Sequence, residues 1–214
     1  MKRRLLYAGA LALAAASAAL AADMPPLRGD RFKPLTYQEL SPEQKTLVEA
    51  LLAGPRGSLN GPFNVMLRSP DLGDRLQRVG EYVRFKTSIP PRLNELAILM
   101  VAREWTAQYE WLAHSAYALK AGLPQAVVED IAAGRRPGKL ADDEAVVYGF
   151  TRELIDTRQV SDAAFNALRE KFGERGIVDL VGLIGYYHTV SMLLNVDRYP
   201  LPEGAPAPLQ ALKP

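Results

Sequence analysis

The chain has no cysteine among its 214 residues. Without thiols it can form no disulfide, carry out no thiol chemistry and build no cysteine-based metal site. It also has only two histidines, His114 and His188, which lie far apart in the sequence. Two distant histidines without a cysteine are a weak set of ligands, so the sequence predicts no metal site.

The chain also lacks a strong excess of charge. It has 26 lysines and arginines against 24 aspartates and glutamates. Three of the basic residues are Lys2, Arg3 and Arg4, which leaves 23 basic against 24 acidic residues in the rest of the chain. A nearly neutral protein gives no reason to expect binding to nucleic acid.

The N-terminal segment is typical of a secretory signal peptide. Its basic start is followed by an apolar run from Leu5 to about Leu20 and by small residues before a cleavage site after Ala21. This pattern predicts a signal peptide at residues 1–21 and a periplasmic or secreted protein with no stable membrane span after cleavage. An uncleaved membrane anchor is the alternative interpretation.

The remaining 193 residues are enough for one domain with a core of its own. No stretch alternates apolar and polar residues as a half-buried strand does, so we predict an all-α fold. We expect an extended leader at residues 22–35, a single helical domain at 36–199 and a proline-rich tail at 200–214. The predicted helices begin near residues 42, 62, 70, 91, 107, 124, 142, 161 and 177.

The longest apolar-periodic run outside the N-terminus extends from Pro91 to Gly122 and carries a candidate acid/base pair. Glu110 and His114 are four residues apart, so on a helix their Cβ atoms lie roughly 6 Å apart and the carboxylate can orient the imidazole. An ordinary pair on a helix surface is the alternative interpretation.

Glu95 can join this pair only if the run is broken. On one straight helix, Glu95 and His114 would be about 28 Å apart. Trp105 and Thr106 are two adjacent weak helix formers, and Thr106 is a candidate N-cap for a second helix. A hairpin at this point would bring Glu95 towards His114.

Glu95, Glu110 and His114 are spaced as in the carboxymuconolactone decarboxylase family, whose superfamily includes the alkylhydroperoxidase D-type proteins. The resemblance extends through GPFNVMLRSPDLGDRLQRVGEYVRF and PPRLNELAILMVAREW, and covers roughly Pro62 to Gly122. The two cysteines of the peroxidase branch correspond to Ala107 and Glu110. Because both sulfurs are missing, thiol peroxidase activity is disfavoured.

The resemblance implies an alkylhydroperoxidase D-like helical bundle with a central helical hairpin, no metal or organic cofactor, and a homo-oligomer, either a trimer or a hexamer. It implies cofactor-free acid/base chemistry on a small-molecule substrate, a carbonyl or lactone acid, by decarboxylation, isomerisation or lactone opening. His114 would be the proton donor, Glu110 its orienting partner, and Glu95 a base or a hydrogen-bonding neighbour.

A non-catalytic, oligomeric small-molecule-binding or scaffold protein of the same fold is the alternative function. An enzyme should bring Glu95, Glu110 and His114 together beside an open cavity, whereas a scaffold would fill that space with tyrosine or tryptophan.

Three further residues are candidates for substrate binding. His188 could bind a carboxylate or carbonyl, or could be a core histidine bonded to a backbone carbonyl. Tyr109 could line the cleft beside Glu110, or be a packing aromatic. Arg103 could bind an anionic substrate, or form an ion pair at the surface.

Overall fold

A computed structural model describes residues 24–211, and within them the structure is all helical. The predicted signal peptide at residues 1–21 lies outside this range. The described residues contain no β-strand, as the sequence predicts. After a 3₁₀ turn at Tyr37–Glu39, the helices are α1 (Pro42–Ala53), α2 (Phe63–Met66), α3 (Pro70–Phe85), α4 (Pro91–Glu104), α5 (Gln108–Lys120), α6 (Gln125–Ala132), α7 (Asp142–Thr157) and α8 (Asp162–Asp197).

Several helices begin at the residues that the sequence predicts. Ser41 caps α1 by accepting a hydrogen bond from the Gln44 amide at 3.3 Å, and the Gln44 side chain accepts from the Ser41 amide at 2.8 Å. Ser161 caps α8 in the same way, through the Ala164 amide at 3.3 Å. Such caps satisfy backbone donors that have no partner within the helix.

The predicted break between Glu104 and Gln108 is confirmed. Thr106 adopts a left-handed backbone conformation with φ of 47°, which a right-handed helix cannot contain. The N-cap of α5 is Ala107, and no side chain caps this helix, so the prediction of Thr106 as the cap was wrong. The turn folds α4 and α5 into a hairpin.

Helix α4 is the centre of the domain. All its residues from Leu93 to Arg103 are buried, and the helix packs against α5, α7 and α8. A helix that is enclosed on all sides places its polar side chains in the interior as well as its apolar ones. Glu95 is therefore held among packed helices.

Helix α8 is continuous in outline but interrupted at Gly173, whose φ of 67° and ψ of −179° are not helical. The predicted helix end at this glycine is confirmed. By its length and by the composition of its most apolar stretch, α8 could also cross a bilayer. Half of that stretch is buried inside the domain, and buried core helices can have the same length and apolar composition.

The segments at both ends of the described range are tied to the helical core. The Asp197 carboxylate, at the end of α8, accepts hydrogen bonds from the Phe32 amide at 2.8 Å and the Asp30 amide at 3.2 Å. Near the other end, the backbone of Leu209 and the side chain of Gln108 exchange two hydrogen bonds of 2.8 and 2.9 Å. Neither segment is helical.

Candidate active site

The hairpin brings Glu95, Glu110 and His114 together. His114 Nδ1 lies 2.6 Å from Glu95 Oε2, and His114 Nε2 lies 3.1 Å from Glu110 Oε1. The imidazole is thus held between two carboxylates, one from each helix of the hairpin. His114 and Glu110 are 4% exposed and Glu95 is 7% exposed, so this is not a pair on a helix surface.

The two carboxylates determine the charge of the histidine. Burial acts to lower the pKa of His114, but the negative charges of Glu110 and Glu95 and their hydrogen bonds outweigh it and raise the pKa to about 9. At neutral pH the ring is therefore an imidazolium, which is hydrogen-bonded to Glu95 through Nδ1 and ion-paired with Glu110 through Nε2.

One side of this cluster faces a cavity of about 160 Å³. Glu110 and His114 form part of its wall, and Glu95 does not. The remaining lining is rich in tyrosine and arginine: it includes Tyr109, Tyr117, Tyr186, Tyr187, Arg56 and Arg84. We refer to this space as the inner cavity.

The other side faces a larger space of about 500 Å³, which we refer to as the outer cavity. Glu95 lines it together with Asn94, Lys120 and several apolar residues. Arg84 and Tyr117 line both cavities, and the Arg84 guanidinium lies over the Tyr117 ring at 4.5 Å from its centroid. These two side chains and the Glu95–His114–Glu110 cluster border both cavities.

Tyr187 packs directly on the histidine. Its ring lies edge-on to the His114 ring, with centroids 5.0 Å apart and planes at 82°. Tyr187 is 1% exposed, and its hydroxyl has no hydrogen-bond partner within residues 24–211. Burial raises the pKa of Tyr187 well above its ordinary value, so this hydroxyl stays protonated and can donate a hydrogen bond.

The structure separates His188 from the cluster. Its Nδ1 accepts a hydrogen bond of 2.6 Å from the Trp105 indole, and neither of the two cavities beside the cluster is lined by it. Burial lowers the pKa of His188, which favours the neutral ring that this bond requires. His188 therefore holds α8 to the hairpin turn, through a side-chain partner and not through the backbone carbonyl that the alternative interpretation names.

Tyr109 and Arg103 have different positions relative to the site. Tyr109 lines the inner cavity, and its ring packs on Tyr199 with centroids 4.4 Å apart. Arg103 lines a separate cavity and donates a hydrogen bond of 2.9 Å to the Gln210 carbonyl. Of the three sequence-based candidates for substrate binding, the structure places only Tyr109 beside the cluster.

Arg56, Arg84 and Tyr187 are not among the site residues predicted from the sequence. Arg56 lies in the loop after α1, which no periodic pattern connects to the site. Tyr187 directly precedes His188, and adjacent side chains on a helix point about 100° apart, so only one of the two can face the cavity directly. The segment GYYHTV gives only a weak indication of which one does.

The described residues contain no group of three or more histidine, aspartate or glutamate side chains arranged to hold a metal ion. Glu95 and Glu110 approach opposite nitrogens of the same ring, so the three side chains do not converge on one point. No residue of the cluster is therefore assigned as a metal ligand.

In comparisons with known proteins, no family model and no curated protein matches the chain significantly.

Proposed function

We propose that the chain is a cofactor-independent, carboxymuconolactone decarboxylase-like enzyme that transfers protons on a small carbonyl or lactone acid. The observation that carries the proposal is a buried imidazolium held between two carboxylates at the wall of a cavity. The spacing of Glu95, Glu110 and His114, which resembles that of the family, supports it further. Decarboxylation, isomerisation and lactone opening all need a positioned proton donor and acceptor of this kind.

The geometry favours different roles for the two glutamates. Glu95 makes the shorter contact and does not line the inner cavity, so it holds and charges the ring. Glu110 makes the longer contact and lines the inner cavity, so it can exchange a proton with a ligand there. Both nitrogens of His114 already face carboxylates, so the histidine does not reach the substrate directly. It supplies protons to the substrate through Glu110.

In a decarboxylation, one carbon–carbon bond of the substrate breaks and one carbon–hydrogen bond forms. The electrons of the breaking carbon–carbon bond move into a conjugated carbonyl of the substrate, and carbon dioxide leaves. His114 Nε2 passes its proton to the Glu110 carboxylate, and Glu110 then delivers it to a carbon of the resulting dienolate. In an isomerisation, Glu110 first removes a proton next to the carbonyl and then returns it to another carbon. Positioned proton transfer of this kind contributes on the order of 10²–10⁴ in rate.

The size of the inner cavity restricts the substrate. Its volume of about 160 Å³ is smaller than the roughly 300–1,000 Å³ of sites for drug-sized ligands. A molecule with a short carbon skeleton is therefore the substrate class that we propose.

We further propose that this enzyme is exported and forms a homo-oligomer, a trimer or a hexamer. The N-terminal sequence supports export. Exposed apolar side chains at Val178, Val181, Met192 and Val196 on α8 support assembly, since burying such side chains between subunits is favourable.

The test is proton exchange into a panel of small oxo acids and lactone acids in deuterated water, followed by NMR. We expect the wild-type protein to accelerate exchange with at least one of them, and Glu110→Gln and His114→Gln to lose roughly 10²-fold or more of that rate. Glu129→Gln is the matched control, because Glu129 is an exposed glutamate on α6. If wild type and His114→Gln act equally on every member of the panel, the catalytic proposal is wrong.

Glu95→Gln separates the roles of the two glutamates. The charge and the hydrogen bond of Glu95 both raise the pKa of His114. We expect this variant to keep part of the activity and to move the alkaline limb of the pH–rate profile to lower pH. An unchanged alkaline limb would contradict the role assigned to Glu95.

A binding protein without catalysis is the second candidate. The observation that favours it is the small inner cavity with four tyrosines in its lining. In that case a small carbonyl acid would bind with saturation, and no member of the panel would exchange protons faster in the presence of the protein.

A further inference from the structure

The inner cavity contains unused cationic and hydroxyl donors. Arg56 lies at its wall, and its Nε and Nη2 atoms are buried without a hydrogen-bond partner within residues 24–211. The Tyr187 hydroxyl, in the same wall, is also buried without a partner there. Buried donors without acceptors cost free energy, so a site that keeps several of them is prepared for an acceptor from outside the chain.

The Arg56 guanidinium is held in place by its surroundings. Its central carbon lies 5.6 Å from the Phe63 ring centroid and 5.8 Å from that of Phe85. A Cβ atom at Gly80 would come within 2.5 Å of Arg56 Nη2, so the guanidinium lies close against the backbone of α3. Such contacts hold the group while leaving its N–H donors for another partner.

The charges around the inner cavity also favour an anion. Arg56, Arg84 and the His114 imidazolium supply three positive charges, whereas Glu95 and Glu110 supply two negative charges. Neither arginine forms an ion pair within 4.0 Å in the described part of the chain. One further negative charge would make the cluster neutral.

We propose that Arg56, with Arg84 and Tyr187, binds the carboxylate of a small organic acid in the inner cavity. An arginine offers its N–H groups in a fork that matches a carboxylate, and the Tyr187 hydroxyl offers a further donor. The acid lies with its remaining atoms towards Glu110. This inference rests on the proposed function, since it names the group by which the substrate is held at that site.

The experiment compares an oxo acid with a neutral molecule of the same shape. Levulinate (4-oxopentanoate) and 4-oxopentanamide are each titrated into the full chain, and binding is followed by NMR of the His114 ring. The His188 ring, outside the cavity, serves as the internal reference. We expect levulinate to bind at least about tenfold more tightly than the amide, because only the acid brings a negative charge that pairs with the arginines.

Arg56→Gln should remove this preference. Arg169→Gln is the matched control, since the Arg169 guanidinium also lies over an aromatic ring, that of Phe165 at 5.6 Å, but does not line the inner cavity. We expect the control to keep the preference for the acid. If Arg56→Gln does not fold, loss of the preference in Arg84→Gln decides the question.

The proposal is overturned if wild type binds the two molecules equally, if neither saturates the protein, or if Arg56→Gln retains the preference. Deuterium exchange into levulinate is recorded in the same samples and tests the proposed function separately. Preference for the acid without deuterium exchange supports the carboxylate site and counts against catalysis. Deuterium exchange without a preference for the acid supports catalysis and counts against the carboxylate site.

Discussion

The pKa values of the two histidines should differ from that of an ordinary histidine in opposite directions. The negative charges and hydrogen bonds of two glutamates raise the pKa of His114 to about 9, against an ordinary value of 6.5, whereas burial lowers the pKa of His188. Because the chain has no other histidine, two sets of ring signals report both values in one experiment. His114→Gln assigns them by removing one set.

The raised pKa of His114 is also a contribution to stability. The difference between 6.5 and about 9 corresponds to about 3 kcal/mol, at about 1.4 kcal/mol per pH unit. A group whose pKa is higher in the folded state stabilises the fold fully below its unfolded pKa. This contribution is therefore present below about pH 6.5 and is lost as the pH rises through about 9.

The assay is urea denaturation of wild type and His114→Gln at several pH values between roughly 6 and 10. Other groups also titrate in this range, so the quantity compared is the difference in the free energy of unfolding between the two proteins, in which the contributions of those groups cancel. We expect the free energy of unfolding of wild type to fall relative to the variant by about 3 kcal/mol over this range. A His114 midpoint at or below 6.5, or a difference that does not change with pH, would refute the ion cluster that we describe.

Two further predictions test contacts that support the site and the leader segment. Gly80→Ala would place a Cβ atom 2.2 Å from the Tyr186 hydroxyl oxygen, so we expect a loss of about 1–3 kcal/mol in the free energy of unfolding, measured by urea denaturation. At Gly149 a Cβ atom would meet nothing within 4 Å beyond the local backbone of its own helix, so Gly149→Ala should be neutral or stabilising by up to about 1 kcal/mol. Equal effects of the two substitutions would contradict the close packing at Gly80. Asp197→Ala removes a buried acceptor from the Phe32 and Asp30 amides, so limited proteolysis should cut residues 24–35 faster in this variant than in wild type. Asp71→Ala is the control, because the Asp71 carboxylate is exposed. Equal rates of cleavage in the two variants would show that Asp197 does not hold this segment.

The helices and half of the candidate site could be predicted because they depend on neighbours in the sequence. Ser41 and Ser161 are caps whose partners lie three residues away. Glu110 and His114 share one helix face through their spacing alone. Glu95 required an additional condition, the turn at Trp105 and Thr106, because nineteen residues separate it from His114.

The other half of the site depends on packing between distant segments. Arg56 reaches the inner cavity from a loop whose position is fixed by its contacts with Phe63 and Phe85. On α8, the direction of Tyr187 rather than His188 towards the cavity follows from how the helix is rotated against α4 and α5. Periodicity does not give that rotation when both faces of a helix carry apolar or aromatic residues.

The placement of the imidazolium between two cavities bears on how a proton could be renewed under the proposed function. Each donation through Glu110 leaves His114 neutral, and the buried cluster must regain a proton before another cycle. Glu95 contacts the ring from the opposite side and lines the outer cavity, which is about 500 Å³ in volume. Loss of the Nε2 proton leaves the neutral ring with its proton on Nδ1, so a proton that reaches Glu95 from the outer cavity enters the ring once the ring turns over and presents its free nitrogen to Glu95. This route stays open while the substrate occupies the inner cavity and excludes water from it. On this reasoning the two glutamates are not interchangeable, and Glu95→Gln should slow the return of the proton, whereas Glu110→Gln should abolish its delivery.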